Sequence, residues 1–162
     1  MPDPTPPPRE PGRRAPAKGV HIKLGNANWV LLTVSTANRE RWLAQSAAQH
    51  ALHEIWEHTA TAWLVSDYVL MPDHLHLFCA PRDLRFTIEQ WISFWKNRFA
   101  MRGLELGKFQ DGGWHHRLRD GENYAVKWRY VRENPIRHGL VERIEDWPYF
   151  GRVHDLHWSA ER

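Results

Sequence analysis

The sequence predicts an α+β fold in which helices pack on one antiparallel sheet. Short apolar or alternating runs at 28–37, 61–70 and 74–80 have strand character. Longer stretches between and after them repeat apolar residues at helical spacing. Only Met71-Pro72-Asp73 separates the second run from the third, and a link that short joins antiparallel neighbours rather than parallel ones. The resulting order is β-α-β-β-α-β-α, with no internal repeat.

Each element has its own warrant. Residues 1–18 hold most of the prolines together with Arg9, Arg13, Arg14 and Lys18. They lack apolar periodicity, so burial there cannot offset the entropy of ordering, and a disordered basic arm is expected. Residues 19–162 are then a single domain, which a chain of 162 residues is long enough to fold around a real core. Trp29-Val30-Leu31-Leu32-Thr33-Val34 leads the first strand, and Ala44, Ala48, Leu52 and Ile55 mark a helix over 38–58. After the hairpin, Ile92, Trp95 and Phe99 recur at helical spacing within 84–102, while Lys96, Arg98 and Arg102 lie off that stripe. A glycine-marked stretch leads into a strand at Trp114-His115-His116-Arg117-Leu118-Arg119. Asp120 is placed to cap a helix over 121–134, which Pro135 ends.

Composition removes several function classes. Cys79 is the single cysteine, so there is neither a disulfide framework nor a Cys-based zinc site. No stretch reads as a secretory signal or a membrane span, which predicts a cytoplasmic protein with no membrane partner, and no P-loop is present. The net charge is only +3, yet residues 82–138 hold twelve Lys and Arg against seven Asp and Glu. Ten tryptophans are a large excess for this length. Most are expected in the core, but runs such as Trp91-Ile92-Ser93-Phe94-Trp95-Lys96-Asn97-Arg98-Phe99 also interleave rings and cations as a nucleic-acid surface does.

The most informative residues are His74 and His76. Side chains alternate along a strand, so both imidazoles project from one face while Leu75 and Leu77 turn to the other. Two nitrogen ligands toward a cleft make half a metal site; two polar residues on the open face of a strand is the plain alternative. On the last helix, Tyr124, Trp128 and Val131 form a core stripe, whereas Lys127, Tyr130 and Asn134 share another flank. Tyr130 is therefore not evidently a core tyrosine, and the Asn134 amide oxygen beside it could join a metal. His50 and His53 share a helix with Glu54, Glu57 and His58, and a solvated face accounts for them. His115 and His116 are adjacent in a strand and point to opposite faces.

Tyr68-Val69-Leu70-Met71-Pro72-Asp73-His74-Leu75-His76 resembles the His-hydrophobic-His motif of the HUH single-strand tyrosine transposases. Tyr130-Val131-Arg132-Glu133-Asn134-Pro135-Ile136-Arg137-His138-Gly139-Leu140-Val141 resembles the second signature of their REP-associated branch, and Trp114 to Arg119 and Asp146-Trp147-Pro148-Tyr149-Phe150 are also similar to it. The resemblance covers about residues 20–150. It implies a ferredoxin-like (RRM-like) HUH nuclease fold and a metal-dependent enzyme that cuts and joins single-stranded or hairpin DNA from palindromic repeats. His74 and His76 match the metal-binding histidines, Asn134 a third ligand, and Tyr130 the nucleophile of a 5′-phosphotyrosine intermediate. The implied metal is Mg²⁺ or Mn²⁺. Lys96, Arg98, Arg102, Arg119 and Lys127 are the expected DNA contacts, in a bacterial, nucleoid-associated protein that acts as a monomer rather than a dimer. Two alternatives stay open: a domesticated repeat-DNA-binding protein without strand transfer, and a metal-dependent nuclease in which water attacks instead of Tyr130.

Overall fold

The computed structural model describes residues 29–118 and 124–156. The arm at 1–18, Asp120 and Arg119 lie outside the described residues. Nine elements follow in order: β1 (Val30–Ser35), α1 (Ser46–Glu54), β2 (Trp63–Leu70), β3 (His74–Pro81), α2 (Ile88–Met101), β4 (Trp114–Arg117), α3 (Tyr124–Arg132), α4 (Asn134–Arg137) and β5 (Phe150–Arg152). The sheet order is β4-β1-β3-β2-β5, and every pairing is antiparallel. Its first four strands carry the ferredoxin-like arrangement expected above. β5 extends the β2 edge and was not foreseen.

Alternation along the strands divides the chain between two cores. One sheet face presents Val30, Leu32, Val34, Leu75, Leu77 and Cys79, covered by Leu52 of α1, Trp56 just after it, and Trp91, Trp95 and Phe99 of α2. On the opposite face Trp29, Val69, Phe78 and Ala80 meet Val131 and Trp147, with Tyr124 and Trp128 packed against them. His74 and His76 are in phase with Phe78 and Ala80, so the α3 side of the sheet carries the histidines.

Two elements depart from the expectation for physical reasons. The helix drawn over 38–58 begins only at Ser46, because Asn38 and Arg39 both take φ of 55°, which a right-handed helix cannot include. It then ends in a π turn over Ile55–Thr59. The helix expected over 121–134 runs only to Arg132, and Pro135, which has no N–H to give a continuing helix, sits at the start of the short α4.

The bulge in β2 fixes where α3 lies. Register shifts between Val65 and Tyr68, and Asp67 there binds Arg152 of β5 at 3.0 Å. The Tyr124 hydroxyl donates to Asp67 Oδ2 at 2.8 Å, and its ring packs 4.4 Å from that of Phe78. Burial pushes the Tyr124 phenol pKa up, so this group acts as a neutral donor that anchors the helix. At the other end of α3, the Arg132 guanidinium lies 3.4 Å over the Phe150 ring and donates to the Ile144 carbonyl.

Candidate functional site

His74 opens β3 directly after the Pro72-Asp73 turn, and it is almost wholly buried. Its Nδ1 lies 2.7 Å from Asp73 Oδ1, a carboxylate that also receives Arg39 Nε at 3.0 Å. The hydrogen bond from His74, and after it the Arg39 guanidinium, hold the Asp73 carboxyl far below the usual carboxylate range, although partial burial works the other way. An ionised Asp73 accepts a proton-bearing Nδ1, which fixes the tautomer and presents the Nε2 lone pair for coordination. His76 is oriented from the neighbouring strand: its register partner Thr33 sets Oγ1 2.8 Å from His76 Nδ1. The two rings meet edge to face with centroids 4.9 Å apart.

The second signature, Tyr130 to Val141, contributes around this pair. The His138 ring centroid lies 6.1 Å from that of His74, which brings the residue after α4 onto the histidines. Asn134 is 1% exposed, whereas Tyr130 is 50% exposed. They therefore differ in exposure, although periodicity set them on one helix flank. The helix breaks between them, turning Asn134 inward and leaving Tyr130 at the surface. Arg137 links the two: its guanidinium sits 3.8 Å over the Tyr130 ring, and Nη2 donates to the Tyr130 carbonyl and to Asn134 Oδ1.

The donor set fits a divalent transition ion. Two imidazoles with their Nδ1 atoms engaged are ligands that Mn²⁺ and related ions accept, and the Asn134 amide oxygen, expected as a third ligand, accepts from Arg137 and keeps a second lone pair. Among the described residues no three of His, Cys, Asp and Glu converge to hold a metal. Cys79 contributes nothing, being buried in the opposite core with its thiol pKa pushed up by desolvation.

The expected DNA contacts separate by face. Lys96 and Arg98 ride on α2 and Arg102 caps its C-terminus, across the sheet from the histidines. Lys96 Nζ donates to the carbonyls of Gln110 and Gly112, and desolvation brings its pKa down to about 8, so it holds a loop. Arg98 lies over the Phe94 ring and Arg102 pairs with Glu54 at 2.8 Å. Lys127 is half-buried on α3, on the histidine side. His53 is not simply solvated, since it bridges the Tyr68 hydroxyl at 3.0 Å and Glu57 at 3.1 Å. His115 and His116 do point apart: His115 reaches Glu89 of α2, and His116 lies on the other face beside Trp114.

Sequence reasoning assigned no part to Thr33, Asp73, Arg137 or His138. Asp73, Arg137 and His138 stood inside the quoted motifs. Thr33 carried no local signal, because only strand register brings it to His76.

Comparison with known proteins bears out the resemblance. A Haemophilus influenzae protein provisionally named a REP-associated tyrosine transposase is 33% identical over 96 residues, covering 49% of this chain and 53% of the relative. The REP-associated tyrosine transposase of Escherichia coli K12 is 27% identical over 131 residues, covering 80% of this chain and 77% of the relative. Aligned sequence thus spans about half of the first relative and about three quarters of the second. The solved structure of a REP-associated tyrosine transposase bound to a REP hairpin matches with a TM-score of 0.65 at 21% identity, over 95% of this chain and 98% of that one. No family model matches. The chain is similar in sequence to REP-associated tyrosine transposases and shares the fold of one of them.

Proposed function

From that similarity we propose that this chain is a metal-dependent tyrosine transposase that cleaves and joins single-stranded, hairpin-forming repeat DNA. The observation that carries the reading is the pair His74 and His76, each held through Nδ1, on the sheet face that α3 covers with Tyr130 at its exposed side. His74, His76 and Asn134 would hold Mg²⁺ or Mn²⁺, which when bound polarises the scissile phosphodiester and offsets charge on its oxygens.

Tyr130 supplies the nucleophile. Its phenolic oxygen bonds to phosphorus as the bond to the 3′-oxygen breaks, so the leaving strand ends in a 3′-hydroxyl and the other in a 5′-phosphotyrosine. The phenol proton passes to solvent, which reaches this half-exposed side chain, and the departing oxygen takes one up. Because the intermediate keeps a phosphodiester, a second 3′-hydroxyl reverses the attack and joins a new strand. Arg137 steadies the ring of the nucleophile and the amide of Asn134 with one guanidinium. Among the described residues no helix is long and apolar enough to cross a membrane. A monomer working on DNA of the bacterial nucleoid completes the proposal.

The test is a labelled hairpin from repeats flanking the gene, incubated with Mn²⁺ and either wild type or Tyr130→Phe. A denaturant-resistant protein–DNA adduct that disappears in the variant is expected. Binding with no adduct would assign a domesticated binder, and cleavage that survives in Tyr130→Phe would assign a water-using nuclease.

A further inference from the structure

Trp114 stands apart from the other tryptophans. Trp29, Trp42, Trp56, Trp63, Trp91, Trp95, Trp128 and Trp147 each belong to one of the two cores or pack against it, and Trp114 is the one described tryptophan that does neither. It opens β4, the edge strand of the sheet, and is half-buried. Strand register sets its direction: Thr33 of β1 pairs with Trp114 on one side and with His76 on the other, so the three side chains share one row on one face. Two strand spacings separate Trp114 from His76, about 10 Å. One step along β4, on the same face, His116 aligns its ring with the indole at 11° between planes and 6.2 Å between centroids.

A large ring left outside both cores is not explained by packing, and register sets it in one row with Thr33 and His76. Parallel aromatic faces accept any base, because every base has a π face, and stacking is the sequence-tolerant way to hold single-stranded nucleic acid. We propose that Trp114 and His116 form a stacking platform for a single-stranded nucleobase close to the metal that His74 and His76 would hold. The platform rests on the reading above and adds a site to it. Thr33 would couple the two, since it orients His76 and separates it from the indole.

The experiment uses full-length chain in the Tyr130→Phe background, where binding is read without chemistry. A short single-stranded oligonucleotide carries 2-aminopurine at successive positions, and fluorescence and affinity are compared with and without Trp114→Ala. Quenching confined to one or two neighbouring positions is expected, with quenching lost and affinity weakened about 5- to 150-fold in Trp114→Ala, the range for one stacked base. Trp114→Phe keeps a ring and should retain most of the affinity, which separates lost stacking from misfolding. With Tyr130 intact, Trp114→Ala should raise KM for the hairpin more than it lowers kcat. Unchanged affinity and unchanged quenching in Trp114→Ala would overturn the platform while leaving the transposase reading in place. Failure of the Tyr130→Phe protein to bind any single-stranded or hairpin DNA would overturn both.

Discussion

Asp73 illustrates how much of the site is held by residues that would never touch a metal. Its carboxylate sets the His74 tautomer, and the backbone beside it is pinned by the Thr36 N–H donating to the Asp73 carbonyl at 2.9 Å. Asp73→Asn keeps the shape and removes the charge. It should weaken Mn²⁺ affinity by about 10- to 100-fold, the usual cost of losing such an outer partner, as read by titration calorimetry. The same residue predicts a pH dependence. Its pKa in the folded chain is depressed, chiefly by His74, relative to an unfolded value of about 3.9. An acid depressed on folding stabilises above its unfolded pKa and loses that contribution as pH falls toward the folded one. The stability gap between wild type and Asp73→Asn should therefore be full at pH 7 and begin to close below about pH 4. Urea midpoints across that range measure it; a gap independent of pH would contradict an ionised Asp73. At this scale the histidines were legible because strand alternation is a local rule. Thr33 was not legible, since its partner is 43 residues away and only pairing reveals it.

Elements were legible where one periodicity governed them and illegible where a second constraint intervened. α2 is the clear case: Ile88, Trp91, Ile92, Trp95 and Phe99 are buried along one stripe, and Thr87 with Gln90 closes a capping box at its start. α1 shows the opposite, because its apolar spacing extended past its start while positive φ at Asn38 and Arg39 kept the preceding segment out of the helix. The break before α4 was readable in Pro135, but which way Asn134 would turn depended on the core beneath it. β5, three residues long, is too short for alternation to register. The cap of α2 supports a prediction that separates fold from function. Thr87→Ala removes the oxygen that receives the Gln90 N–H at 3.2 Å, at a cost of about 1 kcal/mol. For a chain of this size that lowers Tm by about 2–4 °C in a calorimetric scan. Because α2 lies across the sheet from His74 and His76, adduct formation well below that Tm should proceed at the wild-type rate. A slowed rate with an unchanged Tm would place α2 in the chemistry after all.

At the level of the whole molecule, the sheet works as a partition. One face is closed by α1 and α2 over a tryptophan-rich core; the other carries the histidines under α3 and α4 and presents Trp114 at its β4 edge. The basic stretch at 82–138 looked like a single DNA-binding surface because sequence gives charge without direction. The partition divides it. Arg102 is spent on Glu54, Arg98 lies over Phe94 and Lys96 clamps a loop, all on the far side. Arg129 is exposed on α3, one residue from Tyr130. If DNA lies along the histidine face, the number of phosphates neutralised depends on residues such as Arg129 and not on those of α2. Each phosphate contact contributes about 0.7 to the slope of log affinity against log salt for a single strand, and about 0.9 for duplex DNA. Arg129→Gln should therefore flatten the salt dependence of hairpin binding by a slope of about 0.7 to 0.9, whereas Arg98→Gln and Arg102→Gln should leave it unaltered. Anisotropy titrations across a salt series decide between the faces. A flattened slope in the α2 variants with none in Arg129→Gln would move the DNA to the other side of the sheet, away from His74, His76 and Tyr130, and would take the proposed chemistry with it.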